Sequence, residues 1–265
     1  MNINIAVQEI KNLLEKSIIE GGQQAKINLI RSQRPINLIH NTVKYELVKN
    51  GVNPDNIKPP LDQSKGELKL AGFMKQKNQD ICVIPEDISP QKEELDFGPL
   101  YGKRDKYGKD FTEKILSINV RSQLSSLAKN FDTLYERTFA ESLNLHLRCP
   151  KMVLGEVYMI PAYEYDTKKA KKKEIGFVKS TSSVAKYLKS FQAINNRRKT
   201  SKDEFKYEKV CLLVVDFTKE KPKIYDNDEE LIKDGFLSEN SSASIEDLSF
   251  DKLIPSLLKE YENRF

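Results

Sequence analysis

EKILSINVRSQLSSLAKNFDTLYERTFAESLNLHLRCPKMVLGEVYMIP, residues 113–161, changes its apolar period twice. Leu116, Ile118 and Val120 alternate with polar neighbours, the period of a strand. Leu124, Leu127, Phe131 and Leu134 then recur at spacings of 3 and 4, with Leu145 in the same series, which predicts an amphipathic helix over about 122–143. The stretch "KMVLGEVYMIP" returns to a strand. Strand, helix, strand is a unit of α/β folds. Within the helix, Glu141 stands where the period asks for leucine. It lies two heptads after Leu127 and one after Leu134, so at about 100° per residue it points along the apolar stripe, whereas Glu136 falls on the opposite face. A carboxylate aimed at a packing face is costly unless it is paired, protonated or bound to a metal.

Outward from this unit, residues 4–20 and 37–49 read as helices. "GELKLAGFMKQKNQDICVIP" (66–85) reads as two strands with a turn in "KQKNQ", because Leu68 and Leu70 alternate with polar residues and "ICVI" is an apolar run. Residues 85–111 hold three prolines, three glycines and no periodicity, the signature of a long functional loop or a surface excursion. Beyond 161, residues 182–194 read as a helix, "KVCLLVVDF" as a buried strand, and 249–263 as a closing helix. The order gives an α/β class with a mixed central sheet flanked by helices. The first three strands suit a meander, and the later ones are added through helices. We expect one domain over 1–265: N-terminal helices in 1–60, a core in 66–160, and a basic segment with a further strand and helices in 161–265.

Composition narrows the function classes. The longest apolar runs, "VCLLVVDF" and "ICVIP", fall far below the ~20 residues of a membrane span. Gln8, Glu9 and Lys11 interrupt what would be the apolar part of a signal peptide, and three scattered cysteines fit a reducing compartment, so a cytoplasmic location is expected. With only His40 and His146, a zinc site or a histidine-based triad has little material. Charge is segregated: residues 161–210 carry 14 Lys and Arg against 6 Asp and Glu, and residues 220–265 carry 6 against 12. The local basic excess, in "TKKAKKKE" and "NNRRKTSK", suits a polyanion-facing edge or a solvated lysine-rich loop. "YGKRDKYGK" (101–109) sets two tyrosines among Lys103, Arg104, Lys106 and Lys109, a composition suited to phosphate and base contact.

A metal-dependent phosphodiesterase needs carboxylates that converge on Mg²⁺ and a cation near the attacking water. Asp80 starts the strand "QDICVIP", so its side chain can project at the end of a sheet. The next strand brings Glu113, Ser117, Asn119 and Arg121 to one face by alternation and Lys114 to the other. Glu141 follows from the helix. Metal, or the Arg121 guanidinium, would compensate it. The plainer alternatives are an Asp80 that caps a turn and a Glu141 that pairs with Arg121 or Arg137. Arg34 and His40 form an Arg-x5-His spacing of the kind seen in helical RNA-cleaving toxins, but Pro35 adjoins the arginine and the chain does not read as a helical bundle.

The order of an Asp on one strand, an acid and a base on the next, and then a helix resembles the nuclease core known by the pattern PD-(D/E)xK, and within it type II restriction endonucleases. In a subgroup that cuts CCGG-containing sites, the second metal-binding acid sits on the helix. The run "RSQ…AESLNL" is similar to that subgroup's, and the likeness covers about 66–160. It implies metal binding by Asp80 and Glu141, with Mg²⁺ as cofactor, and DNA contact by Arg121, Ser122 and Gln123. The pattern's lysine belongs six residues before Arg121, where Ile115 stands. Lys114 is one position away, with Glu113 before it, so a bulge would be needed, or Arg121 or Gln123 would take the role. Glu67 and Lys69 are a second acid-x-base pair, and Gln79 replaces the pattern's proline. The expectation is a restriction-endonuclease-like, Mg²⁺-dependent, site-specific endonuclease that cuts double-stranded DNA to leave 5′-phosphates. Its catalytic set would be Asp80, Glu113, Lys114, Arg121 and Glu141. DNA contacts would come from Asn119, Arg121, Ser122 and Gln123 and from the loops holding Lys103, Arg104, Lys171 and Lys172. A symmetric homodimer and a cognate DNA methyltransferase would accompany it. The rival is a non-catalytic nucleic-acid-binding or assembly protein that uses the basic segment alone.

Overall fold

Asn2 accepts a hydrogen bond from the Ile5 amide at 3.0 Å and starts helix α1, Ile3–Arg31. The computed structural model describes residues 2–179 and 181–265, and the side chains of all of these except 181 and 182. α1 runs well past residue 20 because the chain kinks at Gly22 (φ 68°, ψ −155°) and resumes as a helix instead of leaving it. Helix α2 (Arg34–Lys49) follows, with Pro35 in its first turn. Next come strands β1 (Ile57–Lys58), β2 (Leu68–Ala71), β3 (Gln76–Gln79) and β4 (Ile81–Val83). The region 85–111 holds more structure than its sequence suggests: β5 (Glu93–Glu94), β6 (Arg104–Asp105) and most of helix α3 (Lys109–Glu113).

The deciding unit is observed as β7 (Leu116–Ser122), α4 (Leu127–His146) and β8 (Val153–Pro161). Beyond it lie β9 (Tyr163–Tyr165), α5 (Thr167–Lys171), β10 (Phe177–Lys179), α6 (Thr181–Ala193), β11 (Lys209–Asp216), β12 (Lys223–Tyr225), α7 (Asp228–Lys233) and α8 (Phe250–Arg264). None of the described helices is long and apolar enough to cross a membrane.

Six strands form the central sheet in the order β1-β4-β7-β8-β11-β12, with β7, β8 and β11 parallel and the others antiparallel to their neighbours. The sheet is therefore mixed and the class α/β, as expected. One face packs on α4 and α6 through Leu127, Phe131, Leu145, Tyr187 and Phe191, and the other on α1, α2 and α8 through Ile10, Leu14, Val43 and Leu257. α8 lies close on the sheet, since a Cβ at Gly155 would meet Leu257 Cδ1 at 2.6 Å.

Several expectations are corrected. α4 begins at Leu127, not near 122, because β7 runs through Ser122, and Leu124 packs in the core of the opposite face. "KQKNQ" contains strand β3, and the turn lies at 72–75, where a Cβ on Gly72 would stand 2.3 Å from the Asn144 side chain. β2 pairs only with β3, so it does not join a meander in the central sheet. Glu113 ends α3 and Lys114 follows it, so neither belongs to β7.

Candidate active site

β7 presents Ser117, Asn119 and Arg121 to the α4 side, and Leu116, Ile118 and Val120 to the opposite core. In the parallel register Asn119 lies opposite Glu156 of β8, an acid in an otherwise apolar run. Glu156 is fully buried and Glu141 is 3% exposed. Arg121 ties them together. Its Nη1 donates to Glu156 Oε1 and Thr138 Oγ1, both at 2.9 Å, and its Nη2 contacts Glu141 Oε2. The other oxygen of Glu141 is held by Lys77 of β3. A cation on each oxygen resolves the opening oddity: Glu141 lies on the packing face, and its charge is compensated there.

Lys77 reaches the site because Asn144 clamps the β2–β3 hairpin onto α4. Asn144 Oδ1 accepts from the Met74 and Lys75 amides at 2.7 and 3.1 Å, and its backbone carbonyl accepts from the Phe73 amide at 2.7 Å. Between β3 and β4, Asp80 accepts from the Val120 amide through Oδ2 at 2.9 Å. On the α2 side Asp80 joins His40, Glu67 and Val120 around a small cavity of about 90 Å³. His40, considered in the sequence only for the toxin-like spacing, therefore stands beside the expected metal ligand.

The electrostatics follow from burial in a low-dielectric interior. Burial pushes the Glu156 carboxyl up to about 8 against the pull of Arg121, with the fields of Glu141 and Asp80 adding to the rise. For Arg121, burial opposes its charge, but Glu156, Tyr207, Glu141 and Asp80 outweigh it and raise its pKa above the ordinary guanidinium value. Burial lowers the His40 pKa, partly offset by Asp80. Two buried polar atoms in this patch, Glu156 Oε2 and Asn119 Nδ2, have no partner among the described residues. Such orphans in a packed core call for an explanation.

Fit to a hard cation can be judged from these donors. Mg²⁺ is commonly held by one or two carboxylates and water. Asp80 commits one oxygen to a backbone amide and can offer the other, whereas Glu156, whose carboxyl keeps its proton up to about 8, is a poor ligand at neutral pH. Both oxygens of Glu141 are already engaged, so its metal contact would require displacement of Lys77 or Arg121. Among the described residues, no group of three or more His, Cys, Asp and Glu stands ready to hold a metal.

The remaining expected residues separate. Lys114 pairs with Asp87 and Glu113 accepts from the Lys151 amide at 3.1 Å, both near the start of β7, more than about 15 Å along the strand from Arg121 at 3.3 Å per residue. They do not join the cluster. Gln123 is 5% exposed and accepts from Tyr158 and Tyr187 while donating to the Ser126 carbonyl, so its polar atoms are spent on the fold. Asn119 is 2% exposed and Ser122 half-buried. Lys103, Arg104, Lys171 and Lys172 are exposed, on the β5–β6 hairpin and at the end of α5. Sequence reasoning missed Lys77 and Glu156. A lone acid inside "VLGEVYMIP" was a readable signal of a buried carboxylate; Lys77 carried none, because its stretch reads as a turn. Comparison with family models, with curated proteins and with solved structures finds no match to this chain.

Proposed function

We propose that the chain is a Mg²⁺-dependent, site-specific endonuclease of the type II restriction class that hydrolyses double-stranded DNA to leave 5′-phosphates. The observation that carries the reading is the gathering of two buried carboxylates, Glu141 and Glu156, around Arg121 and Lys77, with Asp80 at the head of the neighbouring strand close enough for its charge to act on Arg121. Such a cluster is costly to bury for stability alone. Asp80 with Glu141, once Lys77 or Arg121 moves off it, would hold Mg²⁺, which would supply charge stabilisation on the phosphate. Lys77, 40% exposed at its side chain, takes the role assigned by resemblance to Lys114: it donates to a water or phosphate oxygen beside the acids. Arg121 orients Glu141 and Glu156. Lys103, Arg104, Lys171 and Lys172 would track the DNA backbone. A homodimer on a palindromic site, a cytoplasmic setting and a partner methyltransferase belong to the same proposal.

The rival draws on one observation, the double pairing of Glu141. If that pairing is purely structural, the chain binds nucleic acid through its basic segments and cuts nothing. Cleavage of a linear duplex library in Mg²⁺ and in EDTA, by the parent and by Asp80→Asn, Lys77→Met and Lys114→Met, separates the two. Our reading expects discrete fragments from the parent and Lys114→Met only. Equal cleavage by Asp80→Asn would overturn the assigned site, and no cleavage by any protein would favour the rival.

A further inference from the structure

A cleft of about 450 Å³ opens between the tip of the β2–β3 hairpin, β5 with the loop after it, and the C-terminal end of α4. Its size suits a small planar ligand. Phe73 and Phe97 line it with rings nearly parallel, centroids 6.0 Å apart and planes within 10°. Phe73 is 38% exposed and Leu147 47%, more apolar surface than a closed core would leave in water.

Polar groups around these rings are unevenly satisfied. Glu94 and Asp96, both lining the cleft, form no side-chain hydrogen bond or ion pair among the described residues, although many other surface acids in the chain are paired. On the donor side, Arg148 is 2% exposed at its side chain and lies 6.0 Å from the Phe97 ring centroid. It donates to the Ala71 carbonyl at 2.8 Å and to Asp105 at 2.6 Å and pairs with Glu93, while its Nε has no partner among the described residues. An aromatic wall, two idle acceptor-only carboxylates and Lys109, which also lines the cleft, complement a flat heterocycle. Its edge would carry adjacent N–H and NH₂ donors beside a carbonyl acceptor.

We propose that this cleft binds a guanine base, stacked against the Phe73 and Phe97 wall, with Glu94 or Asp96 accepting from its N1–H and 2-amino group. Adenine lacks the paired donors, and hypoxanthine lacks the 2-amino group. The base would come from a free nucleotide or from a nucleic-acid strand that extrudes it. Leu147 caps α4 six residues after Glu141, about 9 Å of helix rise, so an extruded base would sit within a few nucleotides of the Glu141 cluster. The proposal concerns binding alone and stands whether or not that cluster cleaves.

The test is calorimetric titration of the full chain in EDTA with guanosine monophosphate, inosine monophosphate, and two short duplexes carrying a bulged guanine or a bulged hypoxanthine. We expect the guanine probes to bind about tenfold or more tightly than their hypoxanthine counterparts. That preference should disappear in Phe73→Ala and in the Glu94→Gln, Asp96→Asn double variant, all at accessible positions, and persist in Glu141→Gln. Preference in the mononucleotide arm alone identifies a free nucleotide, and preference in the bulged duplex identifies an extruded base. Equal binding of guanine and hypoxanthine in both arms, absence of binding in both, or a preference untouched by the variants would overturn the proposal. Loss of cleavage in Glu141→Gln with base binding retained would leave the two proposals separately judged.

Discussion

Glu141 holds a cation on each oxygen, and at the residue scale this makes it the pivot of the buried patch. Glu141→Ala leaves Arg121 with Glu156 as its one close carboxylate and should destabilise the protein by about 3 kcal/mol, read from urea midpoints at constant slope. Glu156 makes a prediction of opposite character. Its folded pKa, raised to about 8 by burial, lies above its ordinary 4.5. Its contribution to stability is therefore fully present below 4.5 and is lost as pH rises through 8, because the unfolded chain releases the proton first. Stability should fall by up to about 1.4 kcal/mol per pH unit across that window, and Glu156→Gln should flatten the slope. A slope unchanged in Glu156→Gln would contradict the assignment.

Elements bring these residues together, and here the sequence was only partly readable. The strand–helix–strand unit was legible because its apolar period switches cleanly, and Glu141 on the packing stripe followed from that period alone. Lys77 was not legible. Its position depends on the clamp of Asn144 on the hairpin tip and on a glycine at 72 that admits the close approach, and neither contact leaves a periodic trace. Lys114 was misplaced for a related reason: a short helix ends at Glu113, so the alternation counted back from Arg121 does not extend that far. Asn144→Ala should cost about 1–3 kcal/mol and speed amide exchange across 72–79 more than elsewhere; uniform exchange would argue against the clamp. Gly22 does the same for the lysine-rich helix α5. Its positive φ of 68° lets α1 meet α5, with a Cβ there only 3.0 Å from the Ala170 carbonyl oxygen. Gly22→Ala should expose the lysines of 168–173 to faster tryptic cleavage.

Across the whole molecule, charge is organised for two purposes. Glu208, nearly inaccessible, is lowered to about 2: burial opposes this, but His146, Arg264 and Arg197 prevail. This carboxylate fastens α8 and the end of α4 to the sheet, and its contribution is present above 4.5 and lost as pH falls toward 2. The exposed lysines of α5 face outward and should set the salt dependence of nucleic-acid binding. Replacing Lys171 and Lys172 together by alanine should reduce the slope of log K against log salt by about 2 if both contact phosphates. All of this is compatible with a protein that merely binds, so the central claim rests on chemistry at the Asp80–Arg121–Glu141 cluster. The most direct measurement is digestion of phage DNA by the purified protein in Mg²⁺ and in EDTA, beside Glu141→Gln shown to be folded by circular dichroism. The account predicts discrete, Mg²⁺-dependent fragments with 5′-phosphate ends from the parent and intact DNA from the variant. Fragments of equal yield from Glu141→Gln, or intact DNA from the parent across salt concentrations, would contradict it.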